Sequence, residues 1–181
     1  MASTGITDQR IDGPRVRRMS DNGRAWLVRL EGGCKIKAYL DSAGIPTIGV
    51  GMTYWLSSGS VRKRVEMGDR LSTEAEGLAM FERALRDYEA AVDAATRDDI
   101  TQTEFDAFSS LCYNIGQRAF TGSSVVRFFN ARTRADQVVS ALKLWNRAGG
   151  RVDAGLVERR ACEADLLLKG IYRTQRSKAL A

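Results

Sequence analysis

Two carboxylates and a hydroxyl stand close together in the stretch EGGCKIKAYLDSAGIPT, which runs from Glu31 through Asp41 to Thr47. Breaking a glycosidic bond calls for one protonated carboxyl group to donate to the leaving oxygen. It commonly needs a second, ionised one to orient water or stabilise positive charge at the anomeric carbon. Glu31 and Asp41 could divide those roles. Each residue also has a plain structural alternative: Glu31 as an exposed helix-end carboxylate, Asp41 as a turn residue bonding its own backbone, and Thr47 as β-branched strand packing.

The elements that position these groups follow from spacing. Ser20 or Asp21 caps a short helix that turns Trp26, Leu27 and Leu30 inward, and Gly32-Gly33 ends it directly after Glu31. Glu31 is thereby set at a helix C-terminus, where the negative end of the helix dipole disfavours a carboxylate and suits a residue that must stay protonated. The alternation of Ile36, Ala38 and Leu40, followed by Ser-Ala-Gly and Thr47-Ile48-Gly49-Val50-Gly51, predicts a β-hairpin with Asp41 at the entry to its turn. Residues 54–70 read as a loop or a short third strand. Thr73 and Glu76 form a capping box ahead of Leu78, Phe81, Leu85, Tyr88 and Val92, which predicts a long helix from about 73 to 95. A second box, Thr101 with Glu104, opens a helix through Phe105, Phe108 and Leu111 that ends near Gly116. Further helical patterns cover roughly 123–130, 134–147 and 155–169, with Gly149-Gly150 breaking the last two apart.

A chain of 181 residues, 44% of them hydrophobic, is enough for one buried core and leaves little room for a second independent domain. It has no histidine, which excludes Ser-His-Asp and Cys-His hydrolysis and histidine-containing zinc sites. Cys34, Cys112 and Cys162 are odd in number and widely spaced, and read as reduced cysteines packed as small apolar side chains. The net charge of +6 implies an acidic partner, whether nucleic acid, anionic membrane or carboxylate-bearing cell wall. Residues 1–19 read as a poorly ordered arm made basic by Arg10, Arg15, Arg17 and Arg18, and residues 171–181 as a solvated basic tail. The opening residues carry no apolar signal core and no stretch is apolar enough to span a membrane, so synthesis in a cytoplasm is expected.

The order of motifs resembles the phage-type lysozymes, the muramidase endolysins of glycoside hydrolase family 24. Glu31-Gly32, Ala38-Tyr39, Asp41, Gly44 and Thr47-Ile48-Gly49-Val50-Gly51 follow that family's EG, AYxD, G and TIGYGHT. Gly68-Asp69 with Leu71-Ser72, then Phe105-Asp106-Ala107-Phe108 with Tyr113-Asn114-Ile115-Gly116, continue the series. Trp145, Gly149-Gly150, Gly155-Leu156-Val157-Glu158-Arg159-Arg160 and Glu163 resemble its closing WxxxGG and GLxxRRxxE, so the likeness covers roughly residues 22–169.

That resemblance implies an α+β, lysozyme-like fold. A small β lobe over about 32–70 and a helical lobe over about 71–170 would be joined by a long helix, with the active site in the cleft. It implies hydrolysis of the bond between N-acetylmuramic acid and N-acetylglucosamine in peptidoglycan. Glu31 would be the general acid, Asp41 the second catalytic carboxylate and Thr47 the hydroxyl holding the attacking water. Tyr113, Asn114 and Ser123 match positions bordering the cleft and are substrate-binding candidates. Arg159 and Arg160 are either solvated helix charges or supports reaching Glu31 or the substrate. Family members are mainly inverting, which sets the carboxyl groups roughly 6.5–9.5 Å apart.

No metal or cofactor is expected. The partners that follow are bacterial peptidoglycan, no nucleic acid, and no stable membrane insertion, with the basic arm making electrostatic contact with the wall or outer-membrane lipid. A monomer is expected, held in the host cytoplasm before lysis, released through a holin-dependent route and acting in the periplasm. The competing readings are a lytic transglycosylase, a virion-associated wall-degrading enzyme, and a basic module binding nucleic acid or membrane.

Two departures from the family pattern stand out. Nine residues instead of eight separate Glu31 from Asp41, so an extra residue must be absorbed before Asp41, at Gly33 or in a bulge. Met52 replaces the family's histidine, and a structural role with altered packing is expected there.

Overall fold

The computed structural model describes residues 17–41, 43–56 and 62–174. They pack as two units, one spanning Ala25–Asp87 and the other the described parts of Met1–Arg24 and Tyr88–Ala181.

Helix α1 (Asp21–Leu30) is capped by Ser20, whose Oγ accepts from Gly23 N at 2.9 Å. It ends in a Schellman arrangement: Gly33 N donates to Val28 O and Gly32 N to Arg29 O, with Gly32 at φ +80°. Glu31 is therefore the capping residue itself, fixed in place by the glycine that follows.

Strands β1 (Lys35–Leu40) and β2 (Pro46–Gly49) form the antiparallel hairpin, with Tyr39 opposite Thr47 and Leu40 opposite Pro46. The register then shifts, and Lys35 stands opposite Gly49. Four steps along β1 thus face two along β2, so the extra length sits in a bulge of β1 between Lys35 and Tyr39. Part of the expected alternation is overturned. Ile36 and Ala38 are half-buried as predicted, but at the end of the strand Tyr39 is half-buried and Leu40 is 55% exposed.

The other edge of β1 is covered too, by Ala38 N to Asp69 O at 2.9 Å and Leu71 N to Ile36 O at 2.8 Å. Residues 54–70 contain a second small hairpin, β3 (Tyr54–Leu56) with β4 (Arg62–Arg64), and the Trp55 indole donates to Asp69 Oδ2 at 2.7 Å. Trp26, Leu27, Ile48, Val50, Leu71, Phe81 and Leu85 are buried in the core of this unit.

Helix α2 (Glu74–Ala95) begins where Thr73 Oγ1 accepts from Glu76 N at 3.1 Å. Glu76 reaches back one residue beyond the expected box, taking Ser72 N at 2.7 Å. The helix runs from the first unit into the second. There α3 (Gln102–Ile115) opens with the complete Thr101–Glu104 box and is followed by α4 (Gln117–Thr121), α5 (Ser124–Asn130), α6 (Ala135–Lys143), the two-residue strands β5 (Arg147–Ala148) and β6 (Arg151–Val152), and α7 (Ala154–Lys169).

Helix α7 packs on α3 and α6, and α5 on α6. The shared core holds Phe105, Phe108, Phe120 and Phe129, with Phe108 edge-on to Phe129 at 4.9 Å. Helix α4 was not anticipated, since five residues are too few for a 3.6-residue pattern to declare itself. Helix α6 ends at Lys143, short of the expected 147, because the chain turns there into the β5–β6 hairpin around Gly149 and Gly150.

Both expected ends need correction. Residues 1–16 lie outside the described residues, but Arg17–Met19, read as part of the arm, are anchored. Arg17 is buried and bridges Asp93 and Asp98, Arg18 pairs with Glu89 at 2.8 Å, and Met19 N donates to Glu89. At the other end, Tyr172 donates to Asp106 at 2.7 Å and Arg173 holds Glu158 and Asp165, so the tail packs back at least this far. Residues 175–181 lie outside the described residues. All three cysteines are free, and burial pushes the Cys112 thiol up to about 12. Among the described residues no helix is long and apolar enough to cross a membrane.

Candidate active site

Glu31 is half-buried, and the turn after β2 presses backbone against its carboxylate. Ile48 and Met52 exchange both backbone hydrogen bonds, at 2.8 and 3.0 Å, which folds Gly51 over at φ +72°. A Cβ at Gly51 would lie 2.9 Å from Glu31 Oε2, so glycine is required there for conformation and any side chain would displace the Glu31 carboxylate. Met52, in the family's histidine position, is buried, with its Cε 3.0 Å from where a Gly49 Cβ would stand. It fills the turn from within.

Asp41 is half-buried at the hairpin turn. Its Oδ1 accepts from Ala43 N at 2.9 Å and Ile45 N at 2.8 Å, while its own N–H donates to Ile45 O. This is an Asx-type turn, and it fixes the carboxylate through one oxygen only. Thr47 is 2% exposed and its hydroxyl donates to Ile45 O at 2.9 Å. With its proton committed, the Oγ1 of Thr47 is left as an acceptor.

Tyr39 joins these groups and was not singled out by sequence reasoning, although it lies in the AYxD motif. It stands opposite Thr47 in the ladder and two residues before Asp41, which puts all three on one face of the hairpin. Burial first, then the negative charges of Glu31 and Asp41, hold its phenol above the ordinary value. Both carboxylates therefore act on a single side chain. The pairing nearest the turn makes this grouping, since it sets Tyr39 across from Thr47 and Leu40 across from Pro46 on the other face. Beside Tyr39, an open cavity of about 500 Å³ is lined by Cys34, Lys35, Ile36 and Lys37.

The remaining predicted residues belong to the helical unit and form a different group. Asn114 is exposed and its Oδ1 accepts from Arg160 at 2.9 Å. Arg160 pairs with Glu163 at 2.7 Å and Arg159 with the same carboxylate at 3.3 Å, and Ser110 Oγ donates to it at 2.7 Å. Arg159, Arg160 and Glu163 are all buried, which removes the reading of the arginines as solvated helix charges. Tyr113 packs its ring 5.0 Å from Tyr88. Ser123 is buried and caps α5 by accepting from Val126 N, apart from the Asn114 cluster. Among the described residues no group of three His, Cys, Asp or Glu side chains is placed to hold a metal ion.

A family model described as phage lysozyme matches residues 29–163, which takes in Glu31, the hairpin and the arginine pair. The chain belongs to the phage lysozyme family. It is a glycoside hydrolase of lysozyme-like fold and endolysin type. The endolysin of Salmonella phage P22 is 37% identical over 143 residues, covering 79% of this chain and 93% of that one. Two solved structures extend the likeness. The endolysin from Escherichia coli O157:H7 phage FAHEc1 superposes with a TM-score of 0.76 at 34% identity, covering 87% of this phage lysozyme and 97% of its own chain. A mutant of P22 lysozyme gives 0.68 at 37% identity, covering 84% and 99%.

Proposed function

We propose that this phage lysozyme hydrolyses the bond between N-acetylmuramic acid and N-acetylglucosamine in peptidoglycan, with Glu31 as general acid and Asp41 as general base. Glu31 gives its proton to the glycosidic oxygen as the bond to the anomeric carbon breaks. Water attacks that carbon from the opposite face, passing a proton to Asp41 Oδ2, the oxygen not used by the turn. Thr47 Oγ1 accepts the water's other hydrogen, since its own proton lies on Ile45 O. The product leaves with inverted configuration and the enzyme regains its starting charge by proton exchange with solvent.

The observation that carries this reading is the hairpin geometry, which sets Asp41 two residues beyond the Tyr39–Thr47 pair and lays the turn after β2 against the Glu31 carboxylate. In this reading Tyr113 and the exposed amide of Asn114 contact substrate, and the hydrogen bond from Arg160 that orients Asn114 supports it. Arg159 and Glu163 support that arrangement from within. The enzyme works as a monomer and reaches the periplasmic wall from the host cytoplasm through a holin-dependent opening.

Digestion of purified peptidoglycan tests the chemistry. Reducing N-acetylmuramic ends, whose first-formed anomer is opposite to that of the substrate, are expected by NMR at early times. Retained configuration would remove Asp41 as a base, and an anhydro end would make the enzyme a transglycosylase.

A further inference from the structure

The positive charge of this chain is gathered in one place. Residues 117–152, which make up α4, α5, α6 and the β5–β6 hairpin, carry seven basic side chains and one acid, Asp136, a surplus of six. That equals the +6 of the whole chain, so everything outside this segment balances at 21 basic against 21 acidic residues. All seven basic side chains are exposed. Arg132 pairs with Asp99 at 2.7 Å and Arg134 with Asp136 at 3.1 Å. Arg118, Arg127, Lys143, Arg147 and Arg151 make no ion pair among the described residues.

Apolar side chains sit among these charges. Leu144, next to Lys143 at the end of α6, is 73% exposed. Val152, paired across the hairpin with Arg147, is 59% exposed. Single exposed apolar residues are ordinary, but two of the most exposed among the described residues flank this basic hairpin. A surface that only attracts a hydrated anionic polymer gains nothing from them. A lipid interface uses both, with phosphates for the basic groups and the acyl boundary for the apolar tips.

We propose that the end of α6 and the β5–β6 hairpin form a docking surface for anionic phospholipid membranes. Lys143, Arg147 and Arg151 meet headgroup phosphates while Leu144 and Val152 enter the interfacial layer. Arg17 and Arg18 are less suited to this, because they are already held by Asp93, Asp98 and Glu89. Docking here would keep the enzyme at the membrane face next to its wall substrate, and it goes beyond the hydrolytic reading without depending on it.

Co-sedimentation of the full chain with vesicles provides the test. Binding is expected to phosphatidylglycerol and phosphatidylcholine mixed at about one to three, and not to phosphatidylcholine alone. Arg147→Gln and Arg151→Gln should each weaken it about fivefold. Leu144→Ser should abolish the fraction that survives about 0.5 M salt, where charge attraction is screened. None of the three should change reducing-end release from purified walls or the melting temperature. Glu31→Gln should bind vesicles like the wild type, which separates this proposal from the catalytic one. Equal binding to both vesicle types, unchanged binding by the variants, or a loss confined to wall binding would overturn it, the last making the wall polymer the occupant.

Discussion

Glu31 is half-buried at a helix end with the Gly51 turn against its Oε2, whereas Glu163 is fully buried with Arg159, Arg160 and Ser110 around its carboxylate. The same side chain thus appears in two settings. In the unit of Ala25–Asp87 two polar groups keep acceptor capacity: among the described residues Asp41 is held by one oxygen, and Thr47 spends its proton but keeps its lone pairs. In the helical unit the capacity is consumed by neighbours. On the proposed mechanism, charge that exchanges a proton is left accessible, while charge that holds helices α3 and α7 together is saturated and dry.

Isosteric amides at the two glutamates should separate these settings. Glu31→Gln is expected to cut peptidoglycan hydrolysis by about a hundredfold to ten-thousandfold while stability stays within about 1 kcal/mol. Glu163→Gln leaves two buried guanidinium groups short of a counter-charge and should cost about 3–5 kcal/mol of folding free energy. Reducing-end assays paired with urea melts measure both. A Glu31 variant that unfolds, or a Glu163 variant that melts like the wild type, would erase the distinction.

Two smaller changes sharpen the catalytic side of it. Gly51→Ala sets a methyl against Glu31 Oε2 and strains a backbone at φ +72°, so activity should fall about tenfold to a hundredfold as the acid is displaced. Tyr39→Phe keeps the packing and removes only the hydroxyl on which the charges of Glu31 and Asp41 bear. A loss of about threefold to tenfold in kcat/KM with an unchanged melting temperature is expected, together with a shifted acid limb of the pH profile. An unchanged profile would make Tyr39 a packing residue.

How much of this was legible in the chain depended on whether a local rule applied. The Thr101–Glu104 box, the Ser20 cap and the Gly32 exit from α1 are determined within one helical turn, so residue types sufficed to find them. The bulge in β1 was legible only as an excess residue before Asp41. Nothing local says whether that residue is absorbed at Gly33 or inside the strand; only the pairing across the hairpin locates the irregularity between Lys35 and Tyr39. Arg159 and Arg160 failed for a related reason, because their burial is imposed by Glu163 and by Ser110 on another helix. Likewise, Arg17 in isolation looked like part of a solvated arm until Asp93 and Asp98 were found beside it.

Asp106 carries the comparison into the helical unit by a pH-dependent route. Its carboxylate accepts from Ser20 N, Ser20 Oγ, Gln102 Nε2 and Tyr172 OH, tying the N-terminal segment to α3 and to the chain beyond α7. Burial nonetheless wins over these bonds and pushes its carboxyl up from the usual 3.8. A carboxyl with a folded value above its unfolded one stabilises most when protonated, so its contribution is complete below the unfolded value and fades as pH rises through the folded one. Asp106→Asn cannot titrate and lacks one acceptor oxygen, at a fixed cost of about 1 kcal/mol per hydrogen bond lost. Urea melts across the acid range should therefore show the wild type's advantage over Asp106→Asn widest at low pH and narrowing toward neutrality. A gap that widens with pH would mean that the four hydrogen bonds outweigh burial and that Asp106 works as an ionised anchor.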